Sequence, residues 1–311
     1  MSGKARMMDM AETIRNGQGR QAALVAACVM MLALALPLGP ARAAEPVRGN
    51  MPAEVTLIHE PPTNPAHQAI HARVLGDPTF EGARRFFASF RLNRPLVIRT
   101  RSCSGRGGAW YYEGAVTVCY EYLQNAVDNA RSDRRPDWVS EEDAIRGQFA
   151  DVLYHEGAHA LIEFLGIPLF SREEDAADTM ASFAILSLFR QDAPALISGI
   201  VYSYLVDTGV KNFNELPSLE SRTIASRQYG GAHSTPLQRL FNVVCLAAGS
   251  DPASYRALVS RSDMPAWRAN GCEEEYKQVS HAARTLLAPH LDREALRRHF
   301  PGAVWPEAAK R

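Results

Sequence analysis

The 311-residue sequence has no excess of charge of either sign, since 34 Lys and Arg stand against 34 Asp and Glu. A basic surface is the electrostatic requirement for binding nucleic acid, so this balance argues against a nucleic-acid partner. The chain also has no low-complexity segment and no internal repeat. With 46% hydrophobic and 22% charged residues, its composition is that of a globular protein.

Long hydrophobic runs are absent after residue 43, which argues against a membrane span in the rest of the chain. Before that point, basic residues precede an uncharged apolar run (22–38), and a small-x-small cleavage site ends at Ala43. We therefore predict a signal peptide at residues 1–43 and export of residues 44–311 to the periplasm or the medium, without stable membrane insertion. An uncleaved membrane anchor is the alternative.

Cysteine is scarce, and one of the five, Cys28, lies in the predicted signal peptide. The remaining even number, in a chain bound for an oxidising compartment, predicts two disulfides. Proximity in sequence favours Cys103 with Cys119 and Cys245 with Cys272, and free buried thiols are the alternative. No pair has the C-x-x-C spacing of a zinc or redox site, so we assign the cysteines no chemistry.

The pattern of apolar residues changes near residue 139, where a region containing both helices and strands gives way to a region that is almost entirely helical. We therefore predict an α+β fold for a single domain, with a small antiparallel or mixed sheet before residue 139. The predicted elements are helices at 66–90 with a break at 76–78, strands at 95–101, 109–113 and 115–120, and a mostly helical part at 140–311.

The most informative motif is HEGAH at residues 155–159, within a helix predicted from the N-cap Ser140 to Gly166. Residues four apart lie on one helical face, so both imidazoles can reach the same cation. A catalytic zinc site needs three protein ligands and leaves a fourth position to water. Glu156 lies between the histidines and could accept a proton from that water. Two histidines hydrogen-bonded in an ordinary core helix are the alternative.

A second motif, EEDAAD at residues 173–178, follows after a short connection and offers the missing ligand. Ser171 is the predicted N-cap of this helix, in a capping box with Glu174. We predict that Glu174 is the third metal ligand, with Glu173 as the alternative, and that Asp178 accepts the remaining ring N–H of a ligating histidine. A solvated acidic helix start is the other reading, but it leaves Asp178 among small apolar residues unexplained.

The two motifs together resemble those of the glutamate-zincins, whose second motif is E-x-x-x-D. More specifically, YHEGAHALIEFLGIPLFSREEDAADTMA resembles a bacterial family of exported zinc metallopeptidases, catalogued as a domain of unknown function. The resemblance extends to VTVCYEY, HSTPLQRLFNVVCLAAGSDP and RANGCEEEY, and thus covers most of the expected mature chain. It departs at GGAHSTP, where we expect acidic residues before the histidine.

This resemblance implies a zincin-like fold in which the small sheet packs on the HExxH helix. It also implies zinc at His155, His159 and Glu174, with Glu156 as the catalytic acid and base. The Cys245 to Cys272 pairing fits the same family pattern.

Three further features bear on substrate binding. His233 is the candidate donor to the oxyanion formed when water attacks a carbonyl, and a surface histidine is the alternative. The segment AVTVCYEY (115–122) is a candidate sheet edge for pairing with an extended peptide, and an interior strand is the alternative. His67 and His71 have no carboxylate between them, and we interpret them as an exposed helix face.

Three functions fit these patterns. The first is an exported zinc metallopeptidase, a hydrolase with a peptide or protein substrate. The second is a zinc hydrolase of a non-peptide amide or ester, and the third is a zinc-binding protein without catalysis. Glu156 argues against the third, because a binding module has no use for a base beside the metal. The sequence therefore favours the metallopeptidase.

Overall fold

The fold combines a four-stranded sheet with a larger set of helices, described in a computed structural model for residues 54–133, 135–209, 213 and 232–308. The predicted signal peptide, residues 1–43, lies outside these residues. The strands are β1 (Val55–His59), β2 (Leu96–Arg101), β3 (Ala109–Tyr112) and β4 (Ala115–Cys119). The helices are α1 (Gln68–Gly76), α2 (Pro78–Ala88), α3 (Tyr120–Ala130), α4 (Glu141–Leu165), α5 (Glu173–Leu188), α6 (Ala193–Asp207), α7 (Pro236–Ser250), α8 (Pro252–Arg261), α9 (Ala266–Ala269), α10 (Cys272–Ala282) and α11 (Arg293–His299).

The sheet is mixed and has the order β1-β2-β4-β3. Strands β1 and β4 both run parallel to β2, whereas β3 runs antiparallel to β4. The α+β class, the small mixed sheet and the mostly helical part after residue 140 are confirmed. Strand β1 was not predicted; it forms by pairing with β2, which lies far along the chain.

The interpretation of AVTVCYEY as an exposed sheet edge is wrong. β4 lies between β2 and β3, and its residues from Val116 to Cys119 are all buried, as expected of a strand paired on both sides. Tyr120 then starts helix α3 instead of continuing the strand. The edge strand on this side of the described sheet is β3.

The predicted exposed face with His67 and His71 is also wrong. His67 is buried, and its Nδ1 lies 3.0 Å from the Ser102 hydroxyl. The His71 ring packs edge-on against Tyr120 at 5.7 Å. These two histidines therefore take part in packing α1 and the turn before it against α3 and the end of β2.

Helix α4 is the central element, because it packs against α2, α3, α5, α6 and strands β3 and β4. Its ends are those predicted from the sequence. The Ser140 hydroxyl accepts a hydrogen bond from the Asp143 amide at 3.0 Å, and acidic residues occupy the first turn, where the helix dipole favours them. Gly166 ends the helix in the left-handed conformation at φ 60°.

The crossing of α4 and α6 is close enough to need glycine. A Cβ atom on Gly199 would lie 2.0 Å from the Asp143 carbonyl oxygen and 3.0 Å from the Gly147 Cα. No side chain fits at that distance, so the two backbones touch directly. This contact fixes the depth at which α4 lies in the core.

An aromatic cluster packs against α4 two turns beyond this crossing. Phe86, on α2, lies 5.3 Å from the Tyr154 ring of α4 and 5.4 Å from Trp305 near the C-terminus. All three side chains are buried, and burying side chains of this size stabilises the fold by about 2–3 kcal/mol each. The motif helix is thus held by the glycine contact with α6 near its start and by aromatic rings further along.

Both predicted disulfides are present. Cys103 is bonded to Cys119, with Cα atoms 5.5 Å apart, and Cys245 is bonded to Cys272, with Cα atoms 4.9 Å apart. The first ties the loop before β3 to the end of β4, and the second ties α7 to α10. Within the described ranges, we find no helix with the length and apolar character needed to cross a membrane.

Candidate metal centre

Helices α4 and α5 bring three potential metal ligands together. The Nε2 atoms of His155 and His159 lie 3.3 Å apart. Oε2 of Glu174 lies 3.1 Å from the first and 3.3 Å from the second. The three residues predicted as ligands therefore converge on one point at the surface of α4.

The donor set and its spacing fit a zinc ion. Zinc prefers imidazole nitrogen and carboxylate oxygen in tetrahedral arrangement, with bonds of about 2.0–2.1 Å. Ligand atoms in such a tetrahedron are about 3.3 Å apart, since each edge is about 1.6 bond lengths. The observed separations of 3.1–3.3 Å match this value.

A carboxylate lies within hydrogen-bonding distance of the Nδ1 atom of each histidine. Nδ1 of His155 lies 2.7 Å from Asp178 Oδ1, and Nδ1 of His159 lies 2.8 Å from Glu173 Oε1. An ionised carboxylate can only accept a hydrogen bond, so the proton is placed on Nδ1 in both rings. The Nε2 atoms are then the ones available to a cation, and they are the atoms that converge.

Sequence reasoning missed the contact of Glu173, which it attributed to a solvated helix start. The residue does lie at the surface, with a side chain 53% exposed, but it also contacts His159.

The predicted capping box is wrong. α5 begins at Glu173 after the N-cap Arg172, and the Ser171 hydroxyl bonds only to the Arg172 carbonyl among its described contacts. Glu174 faces the histidines and so cannot cap its own helix.

The carboxylates shape the electrostatics of the centre. Burial alone would lower the pKa of His155, but its hydrogen bonds with Asp178 and Glu174 outweigh burial and raise the pKa to about 10. The hydrogen bond with His155 lowers the pKa of Glu174 to about 2. The raised pKa of His155 reflects the negative carboxylates beside its ring, and the lowered pKa of Glu174 keeps that carboxylate ionised. Ionised carboxylates in this position favour a cation at the point of convergence.

Asp178 contacts His155, as the sequence predicted. Its carboxylate also binds Arg239, a residue that the sequence did not identify. Arg239, on α7, donates from Nε to Asp178 Oδ2 at 2.7 Å and from Nη2 to Oδ1 at 2.6 Å. Burial alone would raise the pKa of Asp178, but the hydrogen bonds from His155 and Arg239 lower it. The only signal in the sequence is an arginine on an otherwise apolar stretch of helix, and that pattern does not identify a partner.

Glu156 lies beside the convergent atoms without joining them. It is buried, and desolvation raises the pKa of its carboxyl, although the two histidines partly oppose the shift. The backbone of Tyr111, on the edge strand β3, faces this carboxylate and also opposes the rise in its pKa. The glutamate is therefore held between the histidines and the edge strand.

His233 reaches the centre through a tertiary contact. Its Nδ1 lies 3.2 Å from Glu174 Oε2, and its ring, 48% exposed, is 5.6 Å from that of His155. Arg172 and Asp175 fix the adjoining loop through the Ser234 hydroxyl, each at 2.7 Å. The half-exposed imidazole is thereby held at the mouth of the site.

These groups surround one cavity of about 550 Å³. Strand β3 forms one wall, and the start of α5 with the His233 loop forms the opposite wall. The residues on its walls include Ala109, Tyr111, Glu156, His159, Glu174 and His233. Glu156, two of the three converging side chains, His233 and a sheet edge thus open onto the same space.

The family comparison agrees with this geometry. A family model described as "Putative metallopeptidase" matches residues 59–287, so the chain belongs to that metallopeptidase family, as its motifs predicted. No curated protein and no solved structure matches the chain. The matched region contains His155, His159, Glu174 and each of their partners described above. Membership implies a metal, and these three residues form a group that could bind one.

Proposed function

We propose that this protein is an exported, zinc-dependent metallopeptidase with a zincin-like active site at His155, His159 and Glu174. The observation that carries the proposal is the convergence of these three side chains beside the buried Glu156, in a cavity bounded by β3, the edge strand of the described sheet. A zinc ion at this point would supply Lewis-acid chemistry, polarising a water molecule and a substrate carbonyl.

Glu156 acts as the base and then the acid. Its carboxylate accepts a proton from the attacking water and afterwards delivers a proton to the amine that leaves. Burial supports this role, because a raised pKa brings the carboxyl closer to the range in which it both accepts and returns a proton near neutral pH.

In its imidazolium form, with Nδ1 toward Glu174, His233 donates a hydrogen bond from Nε2 to the oxyanion that develops on the substrate carbonyl. Its ring lies at the mouth of the cavity, on the side opposite β3, and its loop is braced by Arg172 and Ser234. A donor preorganised in this way stabilises the developing charge without having to reorient during the reaction.

The edge strand β3 binds the substrate in extended form. A peptide that pairs with an edge strand forms main-chain hydrogen bonds that do not depend on its sequence. Tyr111 of this strand and Glu156 line the same cavity, so a peptide on this strand passes beside the base. This proximity favours a peptide or protein substrate over a non-peptide amide or ester.

Export fits the two disulfides, which persist in oxidising compartments. It requires that residues 1–43 act as the signal peptide, leaving residues 44–311 as the mature domain. N-terminal sequencing of the protein recovered from the periplasm or medium checks this point directly, and we expect the sequence to begin at Ala44.

The test of function compares recovered wild-type protein with Glu156→Gln, measuring metal content and cleavage of a broad peptide library. We expect one zinc per chain in both proteins and a loss of at least about 100-fold in cleavage for the variant, the usual contribution of a general base. The matched control is Glu142→Gln, which alters an exposed glutamate in the first turn of the same helix and should leave cleavage unchanged.

Two results would contradict the proposal. Absence of zinc from the wild type would remove the metal centre. Zinc in both proteins without peptide cleavage in either would remove the peptidase, and hydrolysis of a parallel panel of esters and non-peptide amides would then identify the alternative hydrolase.

A further inference from the structure

We infer that Arg239 is a positioning residue for the metal centre: it fixes the Asp178 carboxylate, which in turn fixes the ring of His155. This inference rests on the proposed zinc site, and it assigns a functional role to helix α7, which provides none of the ligands.

The geometry at Asp178 leaves its carboxylate little freedom. Oδ2 accepts from Arg239 Nε, while Oδ1 accepts from both Arg239 Nη2 and His155 Nδ1, at distances of 2.6–2.7 Å. A two-pronged arginine contact fixes the plane of a carboxylate, not only its position. Because His155 shares an oxygen with that contact, the direction of its ring follows from the orientation of the arginine.

Burial makes the arginine necessary. The side chains of Asp178 and Arg239 are 10% and 16% exposed, and an ionised carboxylate removed from water needs a partner. The proton on His155 Nδ1 supplies one hydrogen bond, which leaves Oδ2 without a donor if the arginine is removed. A carboxylate that rotates or becomes protonated would no longer hold the imidazole with Nε2 toward Glu174.

Arg239 packs against α6, which is hydrogen-bonded to the helix that carries His155. Its guanidinium lies over the Tyr204 ring at 4.5 Å, and the Tyr204 hydroxyl donates to Asp151 Oδ2 at 2.9 Å. Asp151 is buried on α4, one turn before His155. The contacts therefore form a closed circuit from α4 through α6, α7 and α5 back to α4.

Arg239 does not reach the substrate cavity described above. It lines a separate polar cavity of about 140 Å³ on the other side of Asp178. Its effect on the centre must therefore pass through Asp178, which distinguishes it from a group that touches the substrate.

Arg268 provides a matched control. It lines the same small cavity and makes an equivalent two-pronged contact with Glu275, at 2.6 and 3.1 Å. Its side chain is 22% exposed, close to the value for Arg239. Its other described hydrogen bonds go to Asn242 and Cys245, not to Asp178. Loss of Arg268 should affect stability without affecting the histidines.

The experiment compares the full chain, recovered after export, with Arg239→Met, Arg239→Lys and Arg268→Met. Zinc affinity is measured by competition with a chromophoric chelator, and cobalt(II) is added to the metal-free proteins to record the visible spectrum of the site. We expect Arg239→Met to bind zinc about 10–100-fold more weakly and to shift the cobalt spectrum, the usual effect of losing an outer partner of a metal ligand.

The other variants separate positioning from stability. Arg239→Lys keeps the positive charge but cannot make the two-pronged contact. Its zinc affinity should therefore fall between those of the wild type and Arg239→Met. Arg268→Met should melt at a lower temperature but keep the wild-type zinc affinity and cobalt spectrum.

Wild-type affinity and spectrum in Arg239→Met would overturn the inference, and so would an equal loss of affinity in Arg239→Met and Arg268→Met. If circular dichroism shows that Arg239→Met does not fold, Arg239→Lys decides: weaker zinc binding than in the wild type supports the role, and equal binding refutes it. A wild type that binds no zinc in this assay would overturn the metal centre itself, together with the role of Arg239.

Discussion

Burial should decide how strongly each outer carboxylate supports its histidine, and two matched variants can measure this effect. Asp178 and Glu173 make nearly identical contacts, 2.7 and 2.8 Å from the Nδ1 atoms of His155 and His159. Their side chains differ in exposure, at 10% and 53%. Replacement of each acid by its amide, Asp178→Asn and Glu173→Gln, removes the same charge and retains an oxygen that can accept the ring N–H.

The expected losses differ by about an order of magnitude. For Asp178→Asn the negative charge disappears from a buried site and Arg239 loses its ion-pair partner, so we expect zinc affinity to fall about 10–100-fold, or about 1.4–2.7 kcal/mol. For Glu173→Gln the lost contact is exposed to solvent, where such pairs contribute about 0.2–1 kcal/mol. That range corresponds to less than about a fivefold loss.

The assay is chelator competition at fixed pH and ionic strength, with circular dichroism to establish that each variant is folded. Equal losses in the two variants would refute the reasoning, because contact length would then matter and burial would not. A larger loss in Glu173→Gln would refute it more strongly, since it would make the exposed contact the main support of the centre.

Three further predictions concern the scaffold and the metal. Gly199→Ala should lower the free energy of unfolding in urea by about 1–3 kcal/mol, since its Cβ would meet a carbonyl oxygen at 2.0 Å. Gly82→Ala, where the nearest atom would be 3.8 Å away, should raise that free energy by about 0.5–1 kcal/mol. Changes of the same sign in the two variants would contradict this account. The double substitution of Cys245 and Cys272 by serine opens a loop of 27 residues and should cost about 3–4 kcal/mol, so an unchanged urea midpoint would count against it. Chelation should abolish peptide cleavage and added zinc restore it, and cleavage that survives complete zinc removal would exclude a zinc mechanism.

The motif helix and the ligand set could be predicted from the sequence because their signals are local. Ser140, Gly166 and the spacing from His155 to His159 depend only on helix geometry, and Glu174 and Asp178 share a face by the same rule. The disulfides were predictable for a related reason, since each cysteine pair is close in the chain. These features need no knowledge of which elements become neighbours.

The features that the sequence did not reveal depend on neighbours far along the chain. The position of β4 inside the sheet follows from its pairing with both β2 and β3. The order of strands cannot be predicted from the residues of one five-residue segment. Arg239 meets Asp178 across 61 residues. Glu173 and Glu174 are adjacent in the chain, and the local pattern alone did not show that both turn toward the histidines.

The short span of the ligand set bears on how the protein matures. His155 and Glu174 are separated by 19 residues, so closing that loop costs little entropy, and the ligands can meet before the rest of the domain exists. Arg239 follows much later in the chain, so under the proposed export, in which the N-terminal signal leads, it reaches the compartment after the ligands. We therefore expect a nascent chain to bind metal early but weakly, and to bind it tightly only after α7 packs against α5. Slow metal release would then be a sign of completed folding.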